Sequence, residues 1–314
     1  MSYISTILIT GGSSGLGYST ALLLAKSQPH LQIVIASRTG IEATASINAW
    51  TKQSNCSYIP LDLASHASTR TFVTTYLSKG FPPISGLLLN AGYQRANKLE
   101  LSADGIELQF AINHVNHALL FFLLQSQLLP TARIIIVSSS AHDPAKARVP
   151  PPNFTTGEMA AHPPKGAKDD TIPEGQRRYA LSKLCNVMFA YAIDERKTQP
   201  WVVMALDPGV MPTNLYRWIP GIIGSAVKWY FDSYVGRMFV NDLHPTEYVA
   251  ETLVKMTVGP DYADARKSGK YYGSGGDETP SSKQSYEQAL WKELWGWTVE
   301  HVSKGGETEN MGKL

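Results

Sequence analysis

Thr10-Gly-Gly-Ser-Ser-Gly-Leu-Gly17 follows the apolar run Ile4-Ser-Thr-Ile-Leu-Ile9 and precedes a helical pattern from Ser19 to Ser27. Residues 4–10 read as a buried strand. Strand, glycine turn and helix in that order is the context of a dinucleotide-binding turn. Glycines let the backbone turn sharply and approach a pyrophosphate, which rests on the positive end of the following helix. A turn with a purely structural role is the competing meaning.

Beyond this turn the pattern keeps alternating. Leu31 to Ala36 reads as a strand that exits into Ser37-Arg38-Thr39. An acidic side chain at such a tip would bond an adenosine ribose hydroxyl. Ser37 and Arg38 stand there instead, and an arginine can grip a 2′-phosphate with two parallel bonds, so NADP(H) is expected over NAD(H). A solvated loop arginine is the plainer alternative. Helices over 41–54, 66–79, ~105–129, 177–196 and ~245–257 alternate with strands at Ser57–Pro60, Ser85–Leu89, from Arg133, Trp201–Leu206 and Lys270–Tyr272. Such alternation predicts an α/β fold with a parallel sheet.

Further along the chain stands Tyr179-Ala-Leu-Ser-Lys183. Residues four apart share one helix face, so the phenol and the ammonium are neighbours. A nearby cation favours the phenolate, which suits Tyr179 to act as a general acid or base. Alone this spacing is weak, because most such pairs are solvated surface pairs. Three consecutive serines, Ser138, Ser139 and Ser140, end the run Arg133-Ile-Ile-Ile-Val137. Chemistry alone leaves open which of them is a functional hydroxyl.

Together these segments resemble the short-chain dehydrogenase/reductase family, closely over residues 4–214 and loosely beyond. The glycine turn has that family's T-G-x-x-x-G-x-G form, and Asn90-Ala91-Gly92 matches its N-A-G. Phe110-Ala-Ile-Asn113-His-Val-Asn116-His117 is similar to a stretch of the retinol-dehydrogenase-like and protochlorophyllide-reductase-like branches, with Asn116 in place of a glycine. The resemblance implies one doubly wound Rossmann domain over 1–314, with a single parallel sheet of about seven strands and helices on both faces. By register with the family's V-S-S, Ser139 is the catalytic hydroxyl, beside Tyr179, Lys183 and Asn113, whose carbonyl would hold a water linked to the lysine. It also implies a cofactor site formed by Thr10, Gly11, Ser13, Ser14, Gly15, Leu16 and Gly17. Ser37, Arg38, Asp62, Leu63, Asn90, Ala91 and Gly92 continue that site. Asn113, Tyr179 and Lys183 complete it with Pro208, Gly209, Val210 and Thr213 of a P-G-x-x-x-T turn. Family members are commonly dimers or tetramers, so a homodimer or homotetramer is the expectation.

Two segments depart from the pattern. Forty positions separate Ser139 from Tyr179, and residues 143–177 are rich in proline with few β-branched or aromatic residues. That stretch is expected to build no core and to serve as a substrate-side lid, with an inert loop as the alternative. Residues 215–245 include the Trp-, Tyr-, Ile- and Phe-rich run Leu215–Phe239, which reads either as an apolar lid over an apolar substrate or as plain core helices or an interface. The amphipathic run Tyr286–Val302 packs on the body or on a second subunit, and the polar tail 303–314 is expected to fray.

Composition narrows the partners. The 314 residues are 43% hydrophobic and 17% charged with net charge +2, and no basic run stands out, which argues against nucleic acid. No uncharged apolar stretch reaches the length of a membrane span, and no signal peptide is apparent. Cys56 and Cys185 lack metal-ligand spacing and read as buried, reduced thiols of a cytoplasmic protein. His114 and His117 read as packing or surface histidines, and no metal is expected. The expected activity is therefore NADPH-dependent reduction of a ketone or aldehyde on an apolar small molecule, in secondary metabolism. Cells keep NADPH reduced, which favours that direction. The alternatives are alcohol oxidation, a photoreductase resembling the protochlorophyllide enzyme, and a non-catalytic NADP(H)-binding or scaffold protein.

Overall fold

Short apolar runs, mostly of Ile, Leu and Val, become the strands β1 (Ser5–Thr10), β2 (Leu31–Ser37), β4 (Ile84–Leu89), β5 (Leu128–Val137) and β6 (Val202–Leu206), and the shorter, Tyr-bearing stretches become β3 (Cys56–Pro60) and β7 (Lys270–Tyr272). The computed structural model describes residues 3–147, 149–164, 166, 169–211, 242–303 and 313. Within them the strands form one sheet in the order β3-β2-β1-β4-β5-β6-β7, every neighbouring pair parallel. Strand order reverses direction between β1 and β4. In open α/β sheets that crevice, at the carboxyl ends of the strands, is where a ligand fits.

Helices cover both faces: α1 (Gly15–Ser27), α2 (Ile41–Thr51), α3 (His66–Ser78), α4 (Leu108–Phe110), α5 (Asn116–Leu124), α6 (Gly157–Ala161), α7 (Ile172–Arg196), α8 (Thr246–Val258) and α9 (Gln288–Val302). Side chains alternate across each strand. Leu8, Val34, Leu87, Ile134 and Val203 enter a core shared with α5, α7 and α9. Ile7, Ile33, Leu88, Ile135 and Met204 enter a second core with α1 and α8. Burial on both faces explains why the strands read as continuous apolar runs rather than as alternating ones.

The final amphipathic run packs on its own chain. Trp295 of α9 meets Phe122 of α5 with ring centroids 5.1 Å apart and Phe189 of α7 at 5.7 Å. Phe189 is 2% exposed and also packs on His114, Phe121 and Phe122, so the end of the chain joins the aromatic core of α5 and α7.

Three expectations need correction. The helix anticipated over ~105–129 is broken: a π-helical turn, Ala111–Val115, separates α4 from α5, and β5 already begins at Leu128. The helix carrying Tyr179 starts at Ile172 rather than 177. Pro173 lies in its first turn, where a missing N–H breaks no helical bond, and Glu174 faces the positive helix end. Residues 143–177 also contribute to the core. Phe154 is 2% exposed and Ala161 fully buried, because distant α9-side residues hold the segment down. Gln284 Nε2 donates to the Phe154 carbonyl at 2.9 Å, and the Glu293 carboxylate accepts from the Gly157 N–H at 2.9 Å. Most of the segment 215–245 and of the tail 303–314 lies outside the described residues. Among the described residues, no helix is long and apolar enough to cross a membrane.

Candidate active site

The glycine turn closes at the end of β1. Gly11 has φ +70, a conformation side chains disfavour, and a Cβ on Gly17 would lie 2.5 Å from the Gly11 carbonyl oxygen and 2.6 Å from Asn90 Nδ2. Ser14 precedes α1 in extended conformation and its side chain does not cap the helix, whose first turn carries no acid. The leading N–H groups of α1 are thus left for an anionic ligand. A cleft of about 840 Å³ opens from this turn along the strand ends. Gly11, Ser14, Arg38, Asp62, Asn90 and Lys183 are among its lining residues, so it has the length and the donors a dinucleotide needs. Arg38 is exposed and its guanidinium forms no ion pair among the described residues, while Glu42 also lines that end of the cleft.

Thr10 links the turn to the middle of the fold. Its hydroxyl accepts the backbone N–H groups of Asn90 at 2.9 Å and Ala91 at 3.0 Å. It lies 2.8 Å from His117 Nε2, while His117 Nδ1 lies 3.0 Å from the Asn113 carbonyl. A carbonyl only accepts, so the imidazole proton is on Nδ1 and Nε2 accepts the threonine proton. Burial pushes the imidazole of His117 down to about 4, with the Lys183 charge adding to the effect, so this arrangement holds at neutral pH. Asn113 sits within the π-turn, its side chain bonded to both backbone groups of Tyr93 and to Ser182 Oγ at 2.8 Å. π-turns inside helices recur at functional sites. Asn116, where the resembling pattern has glycine, donates to the Leu63 carbonyl at 2.9 Å and accepts from Thr69 at 3.2 Å, tying α5 to α3.

Lys183 is 3% exposed and donates to the Val137 carbonyl at 3.0 Å. Its Nζ lies 5.7 Å from the centre of the Tyr179 ring. Burial pulls the ammonium down to about 8, and the charge of Asp207 opposes that fall, so it remains largely charged at pH 7. Ser138 is 1% exposed and spends its proton on the Lys183 carbonyl at 2.7 Å. Ser139 is partly exposed, and its Oγ accepts the Ala141 N–H at 3.2 Å. Among the described residues no acceptor takes its own proton. The two hydroxyls are distinguished by what they already hold.

Most expected positions come together. Ser13, Ser14, Gly15, Leu16, Ser37, Arg38, Asp62, Leu63, Ala91, Gly92, Tyr179, Lys183 and Pro208 line the one cleft. Thr10 and Asn113 lie behind its wall, fully buried. Ser139 flanks it next to the lining residue Ser138. Gly209 and Val210 sit beside the cleft, where Val210 N–H bonds the Asp242 carbonyl at 2.9 Å, and Thr213 lies outside the described residues. Sequence reasoning took His117 for a packing or surface histidine. Its position four residues after Asn113, one helical turn away, was the available sign that it could reach back to that carbonyl. His114 is a packing residue, stacked between Phe110 and the edge of Phe189.

Comparison with known proteins points the same way. The profile of a family described as short chain dehydrogenase matches residues 5–150. Retinol dehydrogenase 13 of Homo sapiens is 30% identical over 294 residues, covering 92% of this chain and 82% of the relative. Short-chain dehydrogenase TIC 32 A, chloroplastic, of Brassica napus is 29% identical over 310 residues, covering 95% and 88%. Among solved structures, NADPH-bound carbonyl reductase from chicken fatty liver superposes with a TM-score of 0.61 at 16% identity, covering 90% of this chain and 100% of that one.

Proposed function

The chain belongs to the short-chain dehydrogenase/reductase family, and from that premise we propose that it is an NADP(H)-dependent reductase of ketones or aldehydes on apolar small molecules. It is an oxidoreductase that uses a nicotinamide cofactor. The observation that carries the finer reading is that Tyr179 and Lys183 line the same cleft as the glycine turn and Arg38. A retained role in binding alone would not require a buried lysine beside the tyrosine.

In this reading the bound nicotinamide supplies the hydride, and the chain handles the substrate oxygen and its proton. The Tyr179 hydroxyl donates a proton to the carbonyl oxygen, or takes one from a carbinol in the reverse direction. Lys183, held by the Val137 carbonyl, favours negative charge on the phenol oxygen as that proton leaves. Ser139 donates a hydrogen bond to the same substrate oxygen and stabilises charge developing there. Asn113 lies in the π-turn behind them, and its carbonyl, in this reading, helps to hold a water linked to the lysine. Arg38 would take the 2′-phosphate, which is the support for NADP(H) over NAD(H). The preference for an apolar substrate rests on the aromatic content of residues 215–239. A cytoplasmic, reducing setting is part of the proposal, since Cys56 and Cys185 are free and buried.

The test is a fluorescence titration with NADPH and NADH, followed by an assay of a carbonyl panel containing para-nitrobenzaldehyde and cyclic and acyclic ketones. Tighter NADPH binding with turnover that Tyr179→Phe abolishes is the expected result. Binding without turnover of any carbonyl by the wild type, or full turnover by Tyr179→Phe, refutes the catalytic reading.

A further inference from the structure

The geometry points to His142 as the residue that positions Ser139, by holding the serine's backbone carbonyl between the end of β5 and the chain's C-terminal region. His142 is fully buried in the short helical turn Ser140–His142 that follows Ser139. Its Nδ1 lies 2.6 Å from the Ser139 carbonyl oxygen, and its Nε2 lies 3.1 Å from the Ser282 backbone nitrogen. A carbonyl can only accept and a backbone N–H can only donate. The ring is therefore neutral, with its proton on Nδ1, and each nitrogen has one obligatory partner. The edge of Tyr271 packs against the ring with centroids 5.0 Å apart, which leaves the imidazole one orientation.

The consequence falls on the serine's hydroxyl. The Ala141 N–H is already bonded to Ser139 Oγ, so the direction left for the hydroxyl proton follows the backbone of residues 139–141. His142 holds that backbone from one side, and Ser282, 140 residues away in sequence, anchors His142 from the other. Ser282 itself belongs to a bonded cluster: Ser285 Oγ donates to the Ser282 carbonyl at 2.6 Å and lies 2.7 Å from Ser281 Oγ, which lies 2.7 Å from the Tyr191 hydroxyl on α7. The same helix that carries Tyr179 and Lys183 thus also anchors the loop that orients Ser139. Neither His142 nor Ser282 lines the cofactor cleft, so their loss is expected to leave NADPH affinity unchanged.

This inference rests on Ser139 being the hydroxyl that meets substrate. Two substitutions separate the arms of the ring. Asparagine places an amide N–H near Nδ1 and can keep the bond to the Ser139 carbonyl. Glutamine places its amide near Nε2, where it can accept from Ser282 but abandons Ser139. Steady-state kinetics with NADPH and para-nitrobenzaldehyde, corrected for folded fraction from thermal melts, should show His142→Gln lowered about tenfold or more in kcat, as expected when a reacting group is misplaced. His142→Asn should recover most of that loss, and NADPH affinity by fluorescence should be the same in all three proteins. Equal kcat in both variants, or loss of NADPH affinity parallel to loss of kcat, overturns the positioning role in favour of a purely structural one. The underlying reading fails separately: Ser139→Ala with undiminished kcat removes the serine from the mechanism, whereas Ser139→Ala collapsing while His142→Gln does not would remove only His142.

Discussion

Replacing Lys183 by methionine should stabilise the cofactor-free protein while destroying its activity. The ammonium is 3% exposed, and its proton affinity is lowered from the ordinary 10.5 to about 8, chiefly by burial. That gap, at about 1.36 kcal/mol per tenfold change in proton affinity, makes the buried charge cost roughly 3 kcal/mol at neutral pH. Methionine fills a similar volume without charge. The bond lost to the Val137 carbonyl leaves no orphan, because Asn186 Nδ2 also donates there at 3.0 Å. The pH dependence has a definite sign. Below about 8 the lysine is charged both folded and unfolded, so the wild type carries the full penalty. Between about 8 and 10.5 the unfolded chain binds more protons than the folded one, and wild-type stability rises relative to the variant. Urea unfolding of both proteins at pH 7, 8.5 and 10 should therefore show a lead for Lys183→Met of a few kcal/mol that narrows by roughly 2 kcal/mol at pH 10. A variant less stable at pH 7, or a difference flat with pH, refutes the reasoning that a desolvated charge is retained here at the expense of stability.

The serine assignment is open to a paired test. Ser139→Ala should lower kcat on the order of a hundredfold, the usual effect of losing one donor to a developing oxyanion. Ser138→Ala instead removes the buried bond to the Lys183 carbonyl and should appear mainly in the unfolding midpoint, at about 1–3 kcal/mol. Reversed outcomes would move the hydroxyl by one position. At the other end of the cleft, Arg38→Asp should weaken NADPH about tenfold or more and shift preference toward NADH, as a lost charge-assisted bond predicts. Unchanged kinetics with both cofactors would leave the 2′-phosphate without its proposed partner and turn attention to Glu42, which lines the same end.

Much of this molecule is written locally. A strand of Ile and Leu, a glycine turn and a helix behind it depend on neighbours in sequence, so the glycine-turn end of the cleft could be read directly from residues 4–27. Tyr179 and Lys183 were legible for the same reason, since a four-residue spacing on one helix is a local property. The alternation of apolar strands and helices was enough for a single parallel sheet.

Contacts across the fold decided the rest. Residues 143–177 look coreless because their own composition offers little to bury, yet Gln284 and Glu293 hold Phe154 and Gly157 against the body. The π-turn at Ala111–Val115 has no propensity signal of its own, and around it Asn113 is bonded to Tyr93 and Ser182. Ser138, Ser139 and Ser140 are chemically alike in sequence. They differ in the fold because Lys183 takes one hydroxyl and leaves its neighbour's proton available. The roles of His117 and His142 could not be read from the sequence, because a ring's tautomer is set by what each nitrogen faces. The sequence by itself determined most of the strands, their alternation with helices and which residue types are available for chemistry. Which hydroxyl is free, which carbonyl is held and how far a lysine's charge is stripped of water follow from residues a hundred or more positions apart, and only the tertiary structure brings those together.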